Sequence, residues 1–151
     1  MKILLTSDIH GHQELLNYII SNYDADLYYD CGDSELMNFN LKDFYSVMGN
    51  CDYEFYPNYR VVNIDEGLNI FITHGHLYSY ETMIEMAKQK KCNVVAFGHY
   101  HVRRLEEVDG IYLINPGSVS KPRDKHGKSF ACINYNPETK EISFEFIKIN
   151  L

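Results

Sequence analysis

The sequence predicts a mixed α/β fold in one domain that spans residues 1–151. Its 151 residues suit a single domain, which buries roughly two thirds of the surface that its unfolded chain exposes. Short apolar runs of strand length alternate with two stretches of helical periodicity. Several of these runs stop at a glycine beside a polar side chain. We therefore expect strands and helices whose connecting loops carry the functional groups.

Apolar runs and turn residues in the first half of the chain indicate one helix and five strands. The helix is expected at 13–23, and the strands at 2–7, 27–29, 44–48, 59–64 and 68–73. The helix has one apolar face that would pack on a core. Asp65-Glu66-Gly67 separates the last two strands, so they are expected to form a hairpin.

The second half of the chain continues this alternation. A helix is expected at 81–91, and strands at 93–97, 105–108, 111–115, 130–135 and 141–149. Asp109-Gly110 predicts a tight hairpin turn between the second and third of these strands. Residues 120–129 are polar and basic and are the only segment that we interpret as a mobile loop. We expect this loop to be a solvated surface segment rather than one that borders a functional site.

Composition limits the classes of function. A formal charge of −7 leaves no broad basic face for long nucleic acid, so small substrates are favoured, although bound divalent ions could attract an anion. No stretch has the length of a signal h-region or a membrane span. The four cysteines form no CxxC pair and suit a reducing compartment, so we expect a cytoplasmic protein. The oligomeric state stays open between a monomer and a homodimer.

Side chains that can bind metals recur where predicted strands end. They are Asp8, His10, Asp33, Asn50, His74, His99 and His101. Asp8 and His10 are two residues apart in a segment expected to be extended, so both should project from one side and hold one ion. His99 and His101 repeat this spacing after a later strand. Five strand ends could therefore converge on one edge of the fold.

Mixed carboxylate, imidazole and amide ligands favour manganese, iron, zinc or nickel over calcium or magnesium. Two such ions about 3.5–4 Å apart can orient a hydroxide and stabilise the oxygens of an in-line displacement at phosphorus. Asp33 is the natural bridging carboxylate. The pattern thus predicts a two-metal phosphoesterase. His126 is interpreted as an ordinary surface residue, whereas His12 and His76 could each support a ligand or contact substrate.

The motifs together resemble those of the calcineurin-like metallophosphoesterases. They are Ser7-Asp8-Ile9-His10-Gly11, Gly32-Asp33, Gly49-Asn50-Cys51-Asp52, Thr73-His74-Gly75-His76 and Gly98-His99-Tyr100-His101. Chain length, motif order and the later Asn115-Pro116-Gly117-Ser118 look most like the small prokaryotic phosphodiesterase branch. The resemblance implies a two-sheet β-sandwich flanked by helices.

The resemblance also implies a ligand assignment. The first metal would be held by Asp8, His10 and His101, the second by Asn50, His74 and His99, and both by Asp33. The chemistry would be assisted by Asp33, Asn50 and His76. The cofactors implied are two divalent metal ions, with manganese as first candidate and nickel, iron or zinc as alternatives.

Two positions depart from the wider family. Tyr100 stands where the family usually has threonine, between two proposed ligands. Cys51 stands where monoesterase branches commonly have a histidine that assists the leaving group, and a neutral thiol is a poorer proton donor. Cysteine here resembles the small phosphodiesterase branch and favours diesters, although a purely structural role as a small buried side chain is equally open.

The expected function is therefore metal-dependent hydrolysis of a small phosphodiester. The alternatives are a phosphomonoesterase acting on a small phosphate ester, a metal-storage module, and a non-catalytic scaffold like the retromer subunit of this fold. That scaffold branch lacks the bridging carboxylate, so the presence of Asp33 and Asn50 argues against it. Several aromatic residues near the ligand loops could stack on a nucleobase or aryl group, although packing is the expected role for most. They are Tyr53, Phe55, Tyr56, Tyr78, Tyr80 and Tyr100.

Overall fold

Two five-stranded mixed sheets face each other, and one helix covers the outer face of each. The computed structural model describes all residues from 1 to 151. Its strands are β1 (Lys2–Thr6), β2 (Leu27–Asp30), β3 (Tyr45–Ser46), β4 (Tyr59–Asn63), β5 (Asn69–Thr73), β6 (Val94–Ala96), β7 (Arg103–Val108), β8 (Ile111–Pro116), β9 (Ser129–Tyr135) and β10 (Ile142–Lys148). Its helices are α1 (Gln13–Asn22), α2 (Tyr80–Gln89) and a 3₁₀ helix (Asn38–Leu41).

Each sheet contains three neighbouring parallel strands. The first sheet has the order β10-β9-β1-β2-β3, in which β1, β2 and β3 are parallel. The second has the order β4-β5-β6-β8-β7, in which β5, β6 and β8 are parallel. Antiparallel strands complete the sheets, with β9 and β10 on one side of the first and β4 and β7 at the two edges of the second. Because parallel strands end on the same side, the loops after them gather at one edge of each sheet.

The fold has four layers, namely α1, the first sheet, the second sheet and α2, and an apolar core lies between each neighbouring pair. The layer between the sheets includes Ile3, Leu5, Ile70 and Ile72, which are fully buried. A second layer lies between α1 and the first sheet, and a third between α2 and the second sheet. Each fully buried aliphatic side chain contributes about 1.5–3 kcal/mol of hydrophobic stabilisation.

The predicted α/β class and the two-sheet sandwich with flanking helices are confirmed. The strand expected at 44–48 is shorter, because the Phe44 amide donates to the carbonyl of Leu41 in the 3₁₀ helix and the Met48 amide donates to that of Pro57. The 3₁₀ helix itself was not predicted. Each α-helix has only ten residues, and neither has the length and apolar character needed to cross a bilayer.

Candidate metal centre

The ends of five parallel strands, three from one sheet and two from the other, bring together all seven predicted ligand residues. Asp8 and His10 follow β1, Asp33 follows β2, Asn50 follows β3, His74 follows β5, and His99 and His101 follow β6. Their side chains form two adjoining clusters at this edge of the sandwich.

The first cluster consists of Asp8, His10 and His101. The Nε2 atoms of the two imidazoles are 3.3 Å apart, and Oδ1 of Asp8 lies 3.3 Å from Nε2 of His101 and 3.7 Å from that of His10. Asp8 is fully buried, yet its Oδ1 has no hydrogen-bond partner. Leaving a buried carboxylate oxygen unpaired is costly, so this arrangement fits a cation bound between the three side chains.

Contacts outside the first cluster orient both of its imidazoles. The Nδ1 of His101 donates to the carbonyl oxygen of Lys121 at 2.6 Å, and Nδ1 of His10 lies 2.6 Å from Oε1 of Glu35. Both rings therefore direct Nε2 inward, which is the arrangement that second-sphere partners usually give to histidine ligands. Neither Glu35 nor the Lys121 carbonyl was predicted from sequence, because no local pattern links them to a histidine 25 or 20 residues away.

The second cluster gathers around the side-chain oxygen of Asn50. This Oδ1 lies 3.1 Å from Nε2 of His74 and 3.1 Å from Nδ1 of His99. Nδ1 of His74 donates to the carbonyl of Cys31 at 2.7 Å, which leaves Nε2 free to bind. His74 is buried while Asn50 is exposed, so the second cluster opens toward solvent.

Asp33 lies between the clusters. Its Oδ2 is 3.1 Å from Nε2 of His74, and its Oδ1 accepts a hydrogen bond from the Cys51 amide at 2.7 Å. Ligand atoms of Asp8, Asp33 and His74 lie within 4.8 Å of one another, as do those of His10, Asp33 and Cys51. Burial alone would raise the pKa of Asp33, but hydrogen bonding to His74 and its charge lower that pKa to about 2. A carboxylate is therefore available next to both clusters.

The backbone at the site differs from the extended segments that the sequence suggested. Five of the seven residues have left-handed φ values: Asp8 (53°), His10 (49°), Asp33 (55°), His99 (73°) and His101 (60°). Asp8 and His10 do meet in one cluster, but His99 and His101 turn to different clusters. Left-handed φ costs a non-glycine residue about 1–3 kcal/mol and is concentrated at functional sites. Hydrogen bonds between the loops hold it here, including Asp8 N to Gly32 O and His10 N to Asp33 O, each at 3.0 Å.

Two glycines of the sequence motifs provide space for the carboxylates. A Cβ on Gly49 would stand 2.1 Å from Oδ1 of Asp33. A Cβ on Gly98 would stand 1.8 Å from Oγ of Ser7 and 2.9 Å from Oδ2 of Asp8. Since these distances are far inside van der Waals contact, only glycine fits beside either carboxylate without displacing it.

Asp52 ties the loops of the site together. Its Oδ2 accepts hydrogen bonds from the amides of Asp33 (3.0 Å) and Gly49 (2.8 Å), and its Oδ1 accepts one from the Glu35 amide (2.9 Å). Ser118 similarly donates its hydroxyl to the Asp8 carbonyl at 2.8 Å. Both residues belong to motifs quoted from the sequence, but no role was predicted for either.

Of the three remaining histidines, one lies beside the second cluster and two lie outside both clusters. His76 lies beside the second cluster, with ring centroids 5.3 Å from His74 and 6.2 Å from His99. Its Nδ1 is buried without a hydrogen-bond partner, and burial lowers the pKa of this ring. His12 instead pairs with Glu14 at 2.9 Å outside both clusters, and His126 is exposed.

Fold and site together define a metallophosphoesterase of the αββα type. Residues 1–138 match the family model described as the calcineurin-like phosphoesterase superfamily domain, and the chain belongs to this superfamily. The chain is 32% identical to the probable metallophosphoesterase YsnB of Bacillus subtilis, with 95% of this chain and 90% of the relative covered. It is also 32% identical to the phosphodiesterase MJ0936 of Methanocaldococcus jannaschii, with coverage of 78% and 83%.

Solved structures agree on the fold. A conserved uncharacterised protein of Streptococcus pneumoniae, described as a predicted phosphoesterase, superposes with a TM-score of 0.85 and 26% identity, covering 97% of this chain and 88% of that one. Vps29 of Entamoeba histolytica, complexed with zinc, gives a TM-score of 0.72 at 20% identity, with coverage of 99% and 100%. The second similarity concerns the fold alone.

Proposed function

We propose that the protein is a metal-dependent phosphodiesterase that hydrolyses a small phosphodiester through a hydroxide bridging two divalent metals. The observation that carries this proposal is the buried, unpaired Oδ1 of Asp8, which faces the Nε2 atoms of His10 and His101. The first metal would be held by Asp8, His10 and His101, the second by Asn50, His74 and His99, and both by Asp33.

The residues of the site have distinct roles in this reaction. Bound divalent ions would polarise the phosphoryl oxygens and lower the pKa of a shared water. Asp33, ionised at neutral pH, supplies the carboxylate between the clusters, and exposed Asn50 lies on the side from which substrate approaches. His76, with its lowered pKa, is neutral at pH 7, and we assign to its ring a hydrogen bond to the phosphoryl group.

A diester is favoured over a monoester by the residue after Asn50. Cys51 is exposed at the edge of the centre, so the alternative role of a small buried side chain is wrong. Partial burial and then the Asp33 charge raise the pKa of its thiol. A neutral thiol neither balances the second negative charge of a monoester nor donates a proton well to a leaving alkoxide. The name of the relative MJ0936, a phosphodiesterase, supports the same choice.

Manganese is our first candidate for both metals, with nickel, iron or zinc as alternatives, because imidazoles and an amide accompany only two carboxylates among the proposed ligands. We place the protein in the cytoplasm, since its four cysteines are all free. The acidic chain suits a small substrate rather than long nucleic acid.

The test is reconstitution of metal-free protein with Mn²⁺, Ni²⁺, Fe²⁺ or Zn²⁺, followed by assays on bis(4-nitrophenyl) phosphate and 4-nitrophenyl phosphate. We expect two metals per chain by elemental analysis and faster hydrolysis of the diester. Asp33→Asn should lower both metal content and rate. Two bound metals without hydrolysis of either ester would instead indicate a storage module or a non-catalytic scaffold, since Vps29 also has a zinc complex. Absence of metal binding would overturn the two-metal proposal.

A further inference from the structure

Tyr100 occupies an unusual place at the rim of the metal centre. It lies between two proposed ligands, His99 and His101, and keeps 39% of its surface exposed. Its ring meets the His99 ring edge-on, with centroids 5.1 Å apart and planes at 73°. An aromatic surface therefore stands directly beside a proposed ligand of the solvent-facing cluster.

The Tyr100 ring is held rigidly from behind. Its centroid lies 5.7 Å from that of Tyr80 and 6.2 Å from that of Phe97, which is fully buried. The guanidinium of Arg104 lies 4.2 Å from the Tyr80 ring centroid and is itself bound by Glu106 at 2.7 Å. Tyr80 is the first residue of α2, which further limits its movement. Contacts on this side thus fix the ring while its outer surface stays open.

We propose that Tyr100 is a specificity-determining residue, whose exposed ring stacks on an aromatic substituent, aryl or nucleobase, that stays on the phosphate when the diester is cleaved. This inference rests on the proposed function and narrows it to one class of substrate. A rigid aromatic surface binds another ring without losing side-chain freedom. Stacking of this kind is worth about 1–3 kcal/mol per base, and 1.4 kcal/mol corresponds to a tenfold change in affinity.

The test uses two diesters that release the same 4-nitrophenolate: bis(4-nitrophenyl) phosphate, which retains an aryl group, and methyl 4-nitrophenyl phosphate, which retains a methyl group. Wild-type protein should prefer the aryl diester. We expect Tyr100→Leu and Tyr100→Met to reduce this preference in kcat/KM about tenfold, mainly through KM. Tyr100→Phe, which keeps the ring, should retain the preference. Equal effects of Tyr100→Leu on both substrates would overturn the inference.

A matched control is available at Tyr45, an exposed tyrosine that also packs against another tyrosine. Its ring lies 6.0 Å from that of Tyr29 and 5.5 Å from the Arg60 guanidinium, and neither neighbour is a proposed ligand. Tyr45→Leu should leave the substrate preference unchanged. Melting temperature and metal content are measured for every variant. Because Tyr100→Met keeps apolar bulk over Phe97, it serves if Tyr100→Leu does not fold.

Equilibrium binding separates this inference from the proposed function. Calorimetry on manganese-loaded protein compares phenylphosphonate with methylphosphonate, neither of which is hydrolysed. Tighter binding of the phenyl compound that disappears in Tyr100→Met supports the aromatic contact even if no diester is cleaved. Equal affinities of wild-type protein for the two phosphonates would overturn the inference, whether or not diesters are hydrolysed.

Discussion

His10 and His101 direct their Nε2 atoms at each other across 3.3 Å, while Glu35 and the Lys121 carbonyl hold their Nδ1 atoms from outside. A hydrogen bond between these two nitrogens requires that one of them is unprotonated. Asp8 adds an unpaired carboxylate oxygen 3.3 Å from one of them. The ligand atoms are thus positioned by the protein itself, and this has measurable consequences.

Binding of Mn²⁺ is expected to stabilise the fold, because only the folded chain brings these ligands together. At a free ion concentration of 100 times Kd, one site contributes about 2.7 kcal/mol. For a chain of this size each kcal/mol raises Tm by about 2–4 °C. Calorimetry in Mn²⁺ and in EDTA measures the shift, which Asp8→Asn should reduce. An unchanged Tm with all four candidate ions would contradict the proposed centre.

Glu35→Ala should lower metal affinity or activity about 10- to 100-fold, although Glu35 is not a proposed ligand. The reason is that its carboxylate orients the His10 ring through a 2.6 Å contact. Metal titration followed by calorimetry measures the loss. The control is Glu14→Ala, which removes a similar 2.9 Å contact to His12 outside the clusters and should have no effect on affinity.

Gly98→Ala is expected to lower stability by about 1–3 kcal/mol through overpacking, and also to weaken metal binding by displacing Asp8. Gly67→Ala serves for comparison, because its Cβ would stand 2.3 Å from the Tyr135 hydroxyl, which contacts none of the proposed ligands. Denaturant unfolding and metal titration separate the two effects. If both variants bound metal as wild type does, the close approach at Gly98 would have no role in the site.

The contribution of Asp30 to the stability of the metal-free protein should fall as pH rises from about 4 to about 7. Burial raises the pKa of Asp30 from 3.8 to about 7, so in this range the folded state keeps a proton that the unfolded chain has lost. The difference between 3.8 and about 7 corresponds to a loss on the order of 4 kcal/mol. His74 and His101, whose pKa values are raised, act in the same direction but mainly above pH 6.5, whereas His76 and His99, whose pKa values are lowered, act in the opposite direction below it. The contribution of Asp30 is therefore the difference between wild type and Asp30→Asn in how the unfolding free energy depends on pH.

Urea unfolding at several pH values in EDTA measures this difference. Asp30→Asn keeps a side chain of the same shape against the hydroxyls of Thr6 and Ser46, which bond to Asp30 at 2.8 Å each. The variant should show a flatter dependence of unfolding free energy on pH. The same slope in both proteins would mean that Asp30 does not titrate in this range.

Cys51→His should raise the rate on monoesters relative to diesters, because an imidazolium can balance the extra phosphate charge and donate a proton. General acid catalysis typically contributes about 10²–10⁴-fold, so a change in the rate ratio of at least about tenfold is expected. Cys51→Ser is the control for loss of the thiol. The two nitrophenyl esters used above give the ratio. An unchanged ratio would mean that Cys51 does not determine the choice between diesters and monoesters.

The convergence of the seven proposed ligand residues could be predicted from sequence because the relevant signals are local. An apolar run marks a strand, the polar residue after it marks the strand end, and parallel strands bring such ends together. Glu35 was missed because its contact with His10 depends on how two loops meet. The same holds for Tyr80 and Arg104 behind Tyr100, which come from α2 and β7. Such contacts depend on packing between distant segments rather than on any periodicity.

The left-handed backbone at Asp8 and Asp33 affects how the site can be altered. Asparagine tolerates this conformation better than most residues do, so Asp→Asn removes a charge while the loop keeps its path. Alanine would combine loss of the ligand with a change in loop preference, and the two effects could not be separated. Randomising these positions would therefore select first for loops that can form and only afterwards for metal affinity. A designer who transplants the centre into another scaffold must copy the turns together with the side chains.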